Sequence, residues 1–360
     1  MSIWRWADLF STTPERFRIT LGEGNTPLVR SKRIGPAAGL RNLHFKLEMA
    51  NPTGSYKDRF AAAAIAAMLQ QGKSHCVATS SGNTGSALAA YCAAAGIKCE
   101  IAIVESAPVG KLSQMMIHGA DIYKVRGFGL DTAITQESFT FIKARAAKPG
   151  AALQISAFAY SPVGMAGVQT ISYELAQQAS APLDHVFVSA GGGGLTLAVA
   201  RGFEGLVTDR RLPRSPCIEC VQPEGNDTIA SPLRQGATAA RTVSCTSGIS
   251  GLQVPSVIDG NHVITACRAT GGTGHTVSDH EVWTAQKRLA LEEGIFCEPA
   301  GAAALAGALR AVSDGRINRD AQIVCLVTGS GFKDSPSIER MLEGKSCPIY
   351  SLAELQQRNS

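Results

Sequence analysis

Between residues 43 and 328 the chain alternates short apolar runs with alanine-rich or amphipathic segments, and this alternation restricts the fold more than any other feature. Residues 43–49, 75–80, 98–104, 122–125, 153–156, 185–190 and 323–328 read as strands. Residues 60–69, 84–95, 110–118, 130–147, 165–178, 195–203, 279–293 and 302–312 read as helices. A strand that meets the next strand only after a helix cannot form a tight hairpin, so its pairing is parallel and both sheet faces are covered. The expected class is therefore α/β, with mostly parallel twisted sheets under helices. Residues 224–276 are rich in Gly, Ser and Thr with weak periodicity, and are expected to form loops and short elements around a site.

A chain of 360 residues has room for two domains. Thirty-four Lys and Arg against 29 Asp and Glu leave a charge of +5, but the basic residues are scattered, so no nucleic-acid surface is expected. The longest apolar runs, such as 60–69, are too short to cross a bilayer, and the first residues lack a basic segment followed by an apolar one. The expected location is the cytoplasm. Of the ten cysteines, Cys76, Cys99 and Cys325 lie in strand-like runs, where a free thiol behaves as a small hydrophobe. Cys217 and Cys220, three apart in a strand-like run, point to opposite faces and cannot share a metal. His275 and His280 lack a second cluster, and no metal is expected.

In a parallel sheet, ligands bind where strands end and helices begin. Four loops at such points have unusual composition. In Asn51-Pro-Thr-Gly-Ser-Tyr-Lys57-Asp-Arg-Phe60, Pro52 and Gly54 break the apolar run, Ser55 can cap, and Lys57 falls in the first turn of a helix. The helix dipole opposes a cation there and, with desolvation, lowers the amine's pKa. A neutral amine is what carbonyl chemistry requires, which makes Lys57 a candidate nucleophile. The second loop, Thr79-Ser80-Ser81-Gly82-Asn83-Thr84-Gly85, brings small residues and donors to a helix start. An ordinary cap explains one or two of these residues, not the string. The third contains four consecutive glycines, Gly191, Gly192, Gly193 and Gly194, whose entropic cost implies close backbone approach, usually to phosphate. It matches neither a dinucleotide fingerprint nor a P-loop. The fourth, Val327-Thr328-Gly-Ser-Gly-Phe-Lys-Asp334, offers hydroxyls, and no Gly-x-Ser-x-Gly occurs to suggest a hydrolase serine.

These loops, with Gly22-Glu-Gly-Asn-Thr-Pro-Leu28 and Glu293-Gly-Ile-Phe-Cys-Glu-Pro-Ala-Gly-Ala-Ala303, resemble the fold-type II enzymes that use pyridoxal 5'-phosphate, most closely the threonine synthases. Five of these motifs, at residues 22–28, 51–59, 80–85, 293–303 and 327–334, stand in the family's order over roughly residues 20 to 335. The resemblance implies a tryptophan-synthase-β-like fold, with a larger cofactor domain from 1–50 and 160–350, a smaller mobile domain from 51–159, and the active site between them. It implies that Lys57 is the Schiff-base lysine and general base. Asn83 would then bond the cofactor's 3'-oxygen, Gly191 to Gly194 would wrap its phosphate, and Thr328 would face its pyridine nitrogen. Ser80, Ser81 and Thr84 would dock the substrate carboxylate. A small amino acid is the implied substrate, and a homodimer the implied assembly.

The chain departs from that pattern at its phosphate-reading position. Threonine synthases place an arginine before a Gly-Gln-Lys-Thr-like helix start, where this chain has Gly164, and Ala159 replaces a polar neighbour. Losing a bidentate donor fork weakens dianion binding. Lys111 or Arg126 would have to substitute. The all-glycine loop is more like that of serine and threonine dehydratases, while Thr328-Gly-Ser-Gly is unlike their Ser-Gly-Gly-Asn-like turn. Three readings follow: a threonine-synthase-like lyase acting on O-phospho-L-homoserine or a phosphoserine-like substrate, a β-eliminating deaminase, and a catalytically silent binding protein. The intact Lys57 argues against the last.

Overall fold

The computed structural model describes residues 2–80, 82–105, 107 and 112–358. Its ten strands are β1 (Leu28–Arg30), β2 (Asn42–Leu47), β3 (His75–Thr79), β4 (Lys98–Val104), β5 (Asp121–Val125), β6 (Ala151–Leu153), β7 (His185–Ser189), β8 (Cys217–Pro223), β9 (Gly274–Val277) and β10 (Gln322–Val327). They form a six-stranded sheet of order β1-β2-β10-β7-β8-β9 and a four-stranded sheet of order β5-β4-β3-β6. Only the β1–β2 pair is antiparallel; the other pairs in both sheets are parallel. Central strands such as β10 are buried along nearly their whole length, as expected where helices cover both faces. Among the described residues no helix is long and apolar enough to cross a membrane. All ten cysteines are unpaired.

The alternating pattern locates most elements, with three differences. The segment expected as one helix over 165–178 is two, Pro162–Val168 and Thr170–Gln178. At the junction the Gln169 amide bonds the Ala166 carbonyl and the Ser172 amide bonds Gln169, a tighter three-residue spacing that changes direction. The segment 224–276 is more ordered than its composition suggests, since it holds the helix Gly260–Ala269 and the edge strand β9. Four residues starting at glycine are too short to show a strand period. The apolar run 153–156 is mostly loop, because β6 ends at Leu153 and leaves Ser156 beyond the sheet.

Small residues let the Lys57–Gln70 helix approach the Pro162–Val168 helix closely. A Cβ on Gly167 would lie 2.5 Å from the Arg59 carbonyl oxygen, and one on Gly164 would lie 2.6 Å from the Phe60 ring and 2.9 Å from Ala64. Gly164 therefore faces a helix interface, and the Phe60 ring fills the space an arginine there would need. Beneath this contact lies a buried charge network. Arg59 binds Glu48 and Glu174, each at 2.7 Å, and Lys46 binds Glu174 at 2.6 Å, with all four side chains no more than 1% exposed. Two cations balance two anions, so the core holds no net charge from this group. The network ties β2, the turn after it, the Lys57 helix and the Thr170–Gln178 helix into one support.

Candidate active site

Lys57 is the first residue of its helix. Tyr56 occupies the residue before the helix, and the side-chain acceptor comes from Ser55, whose Oγ lies 3.4 Å from the Lys57 amide. The loop that delivers Lys57 is pinned to the loop after β10. The Tyr56 amide bonds the Thr328 carbonyl at 3.1 Å, and the Ser330 amide bonds Gly54 at 2.8 Å. From the other side, Asp58 Oδ2 accepts from the Thr53 amide and hydroxyl, both at 3.0 Å. Burial pushes the Asp58 carboxyl up to about 7. These bonds set the position of the lysine before any ligand arrives.

The Lys57 amine donates to Ser156 Oγ at 2.5 Å and lies 4.5 Å from the Tyr56 ring centroid. Desolvation lowers its pKa to about 7, against the smaller opposing pull of Glu298. A neutral amine is then accessible near neutral pH. Ser156 Oγ is also 3.1 Å from Thr84 Oγ1, in the first turn of the Asn83–Ala95 helix. At that helix start Asn83 Nδ2 donates to Glu298 Oε1 at 2.8 Å, leaving its second amide hydrogen for another acceptor. Glu298 precedes the Pro299–Ser313 helix, and its own amide bonds the Gly329 carbonyl at 3.0 Å. A Cβ on Gly329 would fall on the Glu298 carboxylate and within 3.1 Å of Asn83 Nδ2, so any side chain there would have to displace the Asn83–Glu298 pair.

The glycine loop follows β7 and opens the helix Gly194–Thr208. Gly193 has φ +94°, which glycine adopts without strain. None of the amide N–H groups of Gly191, Gly192, Gly193 and Gly194 donates to a described residue. Four free donors at the start of a 15-residue helix make an anion cradle. A Cβ on Gly191 would sit 3.1 Å from Val254, one on Gly192 3.2 Å from Ile258, and one on Gly194 3.1 Å from the Ser156 carbonyl. Ser156 thus stands between the amine and the cradle. Asp259 braces the arrangement: its amide bonds the Gly192 carbonyl, and its carboxylate accepts from the Phe158 and Ala159 amides at 2.8 and 3.1 Å. Thr328 is buried at the end of β10, and its hydroxyl bonds no described residue.

Lys57 and Thr84 thus meet at Ser156, which also touches the glycine loop; Asn83 and the Thr328–Gly329 turn meet at Glu298. Ser80 directly follows β3 and its Oγ accepts from the Gly82 amide at 3.3 Å. Ser81 and Lys111 lie outside the described residues. Sequence reasoning did not single out Ser156 or Glu298. Ser156 follows β6 at the same end of its sheet as the other loops, so the strand-end rule applied to every strand would have found it. Glu298 lay within a recognised motif but only its packing against Gly329 shows its position.

Residues 19–329 match the family described as pyridoxal-phosphate dependent enzyme. The threonine synthase of Methanosarcina acetivorans is 31% identical over 346 residues, covering 94% of this chain and 81% of that protein. That of Methanocaldococcus jannaschii is 31% identical, covering 95% and 83%. Among solved structures, the diaminopropionate ammonia lyase of Escherichia coli superposes with a TM-score of 0.75 at 19% identity, over 96% of this chain and 93% of that one, a likeness of fold.

Proposed function

The chain belongs to the pyridoxal-phosphate dependent enzymes and is a threonine-synthase-like lyase; from this we propose that it eliminates or replaces a β- or γ-leaving group on a small amino acid, with O-phospho-L-homoserine as the first candidate. The observation that carries the reading is the Lys57 amine, held at a pKa of about 7 beside Ser156 and Thr84. The site's donors suit the cofactor: an amine for its aldehyde, free amides at residues 191–194 for its phosphate, an amide hydrogen of Asn83 for its ring oxygen, and the Thr328 hydroxyl for its ring nitrogen. When bound, pyridoxal phosphate supplies an electron sink for charge developing at the substrate α-carbon.

The chain's own residues do the rest. Lys57 Nζ takes the α-proton as general base, and desolvation, which lowers its pKa to about 7, favours the neutral form that this role needs. Ser156 Oγ and Thr84 Oγ1 steer that amine. The first turn of the Asn83–Ala95 helix, with Ser80, Ser81 and Thr84, takes the substrate carboxylate on amide and hydroxyl donors. Loops from both sheets contribute, which suits a smaller domain over 51–159 closing against a larger one.

A second reading is favoured by one contact. Because Phe60 packs against Gly164, no arginine fork stands there to hold a substrate phosphate, and a hydroxyamino acid needs none. The test is turnover of cofactor-loaded protein with O-phospho-L-homoserine, O-phospho-L-serine, L-serine and L-threonine in parallel. Phosphate release with threonine formation supports the first reading. Ammonia and keto acid from the hydroxyamino acids moves the assignment to a deaminase, and no product from any of the four overturns both substrate assignments.

A further inference from the structure

At the end of the larger sheet opposite the glycine and Thr328 loops, two neighbouring strands bring metal-type donors together. His185 opens β7, and Cys217 opens β8 directly across the parallel pair. Glu219 stands two residues along β8, and residues two apart in a strand share a face. Cys217 and Glu219 therefore project together while Cys220 points away. A ring nitrogen of His185, Sγ of Cys217 and a carboxylate oxygen of Glu219 all lie within 4.8 Å of one another. His185 Nδ1 is 2.8 Å from Glu219 Oε1.

Tetrahedral zinc, with ligand distances of about 2.0–2.3 Å, needs donors separated by about 3.3–3.8 Å. Side-chain rotation closes that difference without moving strands. The carboxylate is already oriented from behind: Glu219 Oε2 is 2.9 Å from His275 Nε2 and accepts from the Thr273 amide at 2.9 Å. Outer donors of this kind fix the geometry of a ligand carboxylate. The His185 side chain is 20% exposed and Cys217 is partly buried, so an ion can enter from solvent. One thiolate and one carboxylate neutralise a dication. By contrast, the thiols of Cys76, Cys92 and Cys99, also clustered, are buried together with no carboxylate or imidazole among them.

We propose that His185, Cys217 and Glu219 bind a divalent cation of the zinc class, with His275 orienting Glu219, and so clamp β7 to β8 at the base of the sheet. Binding forms the metal–sulfur bond as the Cys217 thiol releases its proton to solvent; the His185 Nδ1 proton shared with Glu219 passes through solvent to Nε2, and the hydrogen bond is replaced by one metal–nitrogen and one metal–oxygen bond. The site is independent of the chemistry at Lys57.

The test uses the full-length, cofactor-loaded chain, stripped of metal by a chelator and titrated with cobalt(II) chloride. The expected result is a thiolate-to-cobalt charge-transfer band in the near ultraviolet that saturates at a single equivalent and is abolished by added zinc chloride. Cys217→Ser should lose the band, Cys76→Ala should keep it, and His275→Gln should weaken cobalt binding by about 10–100-fold, the range for outer-shell partners. His185→Gln provides a second readout that spares the thiol, and should also abolish saturation at one equivalent. Absence of the band from the parent protein, or its survival in Cys217→Ser, would overturn the proposal.

Discussion

Lys46 and Lys57 are both lysines removed from bulk solvent, yet the protein makes opposite use of them. Lys46 is fully buried and donates to Glu174 at 2.6 Å and to the Thr26 carbonyl and Gln178 at 2.8 Å, so each ammonium hydrogen has an acceptor. Burial lowers its pKa, and the charges of Glu48 and Glu174 oppose that shift. Lys57 has one short bond to an uncharged hydroxyl and a single carboxylate, Glu298, acting on it through space. The first is a structural cation inside a balanced network. The second is an amine kept near neutrality, and the difference lies in the number of acceptors and anions around it.

Removing each lysine's function separates the two regions most sharply. Lys57→Ala should lower turnover by at least the roughly 10²–10⁴-fold that a positioned general base supplies, with an unchanged thermal midpoint. A parent-like rate would refute the assignment of Lys57. Glu174→Gln leaves Arg59 and Lys46 short of a buried counter-charge and should cost about 3–5 kcal/mol in denaturant unfolding. If stability barely moved, the network would not be the support inferred from its burial. Gly329→Ala forces a methyl group onto Glu298 and should cost about 1–3 kcal/mol, read as weaker cofactor retention at an otherwise native fold. Unaltered cofactor binding would show that the Asn83–Glu298 contact can yield freely.

The smallest effect is in pH dependence. In cofactor-free protein the neutral amine reacts, so the rate of cofactor capture should rise with pH up to about 7 and then level off. A plateau only near the ordinary lysine value of 10.5 would mean that Lys57 is not desolvated. The same shift has a stability sign. Between about 7 and 10.5 the unfolded chain holds a proton that folded Lys57 has lost, so its contribution to stability rises with pH across that window.

Much of the candidate site was readable from composition. Lys57 at a helix start, four glycines after β7, and Asn83 after β3 each combine residue types whose local cost needs a ligand to explain it. The order inside 224–276 was not readable, because β9 is four residues long and gains its stability from pairing with β8. Gly164 was aligned with a phosphate-reading arginine, but its surroundings depend on the helix packed against it, and Phe60 occupies that space. The metal-type cluster was equally hidden. Cys217 was weighed against Cys220 along one strand, whereas its partners are Glu219 on the same face and His185 on the neighbouring strand.

What the sequence determined by itself was the parallel α/β class, from an alternation that admits no hairpin order, and the composition of the candidate site loops, because glycine runs and helix-start donors act through local backbone geometry. Tertiary structure alone decided which loops meet. Ser156 reaches Lys57, Glu298 reaches Asn83 and His185 reaches Glu219 only once strand order is set. That order is selected by packing between segments far apart in the chain, which local periodicity does not encode.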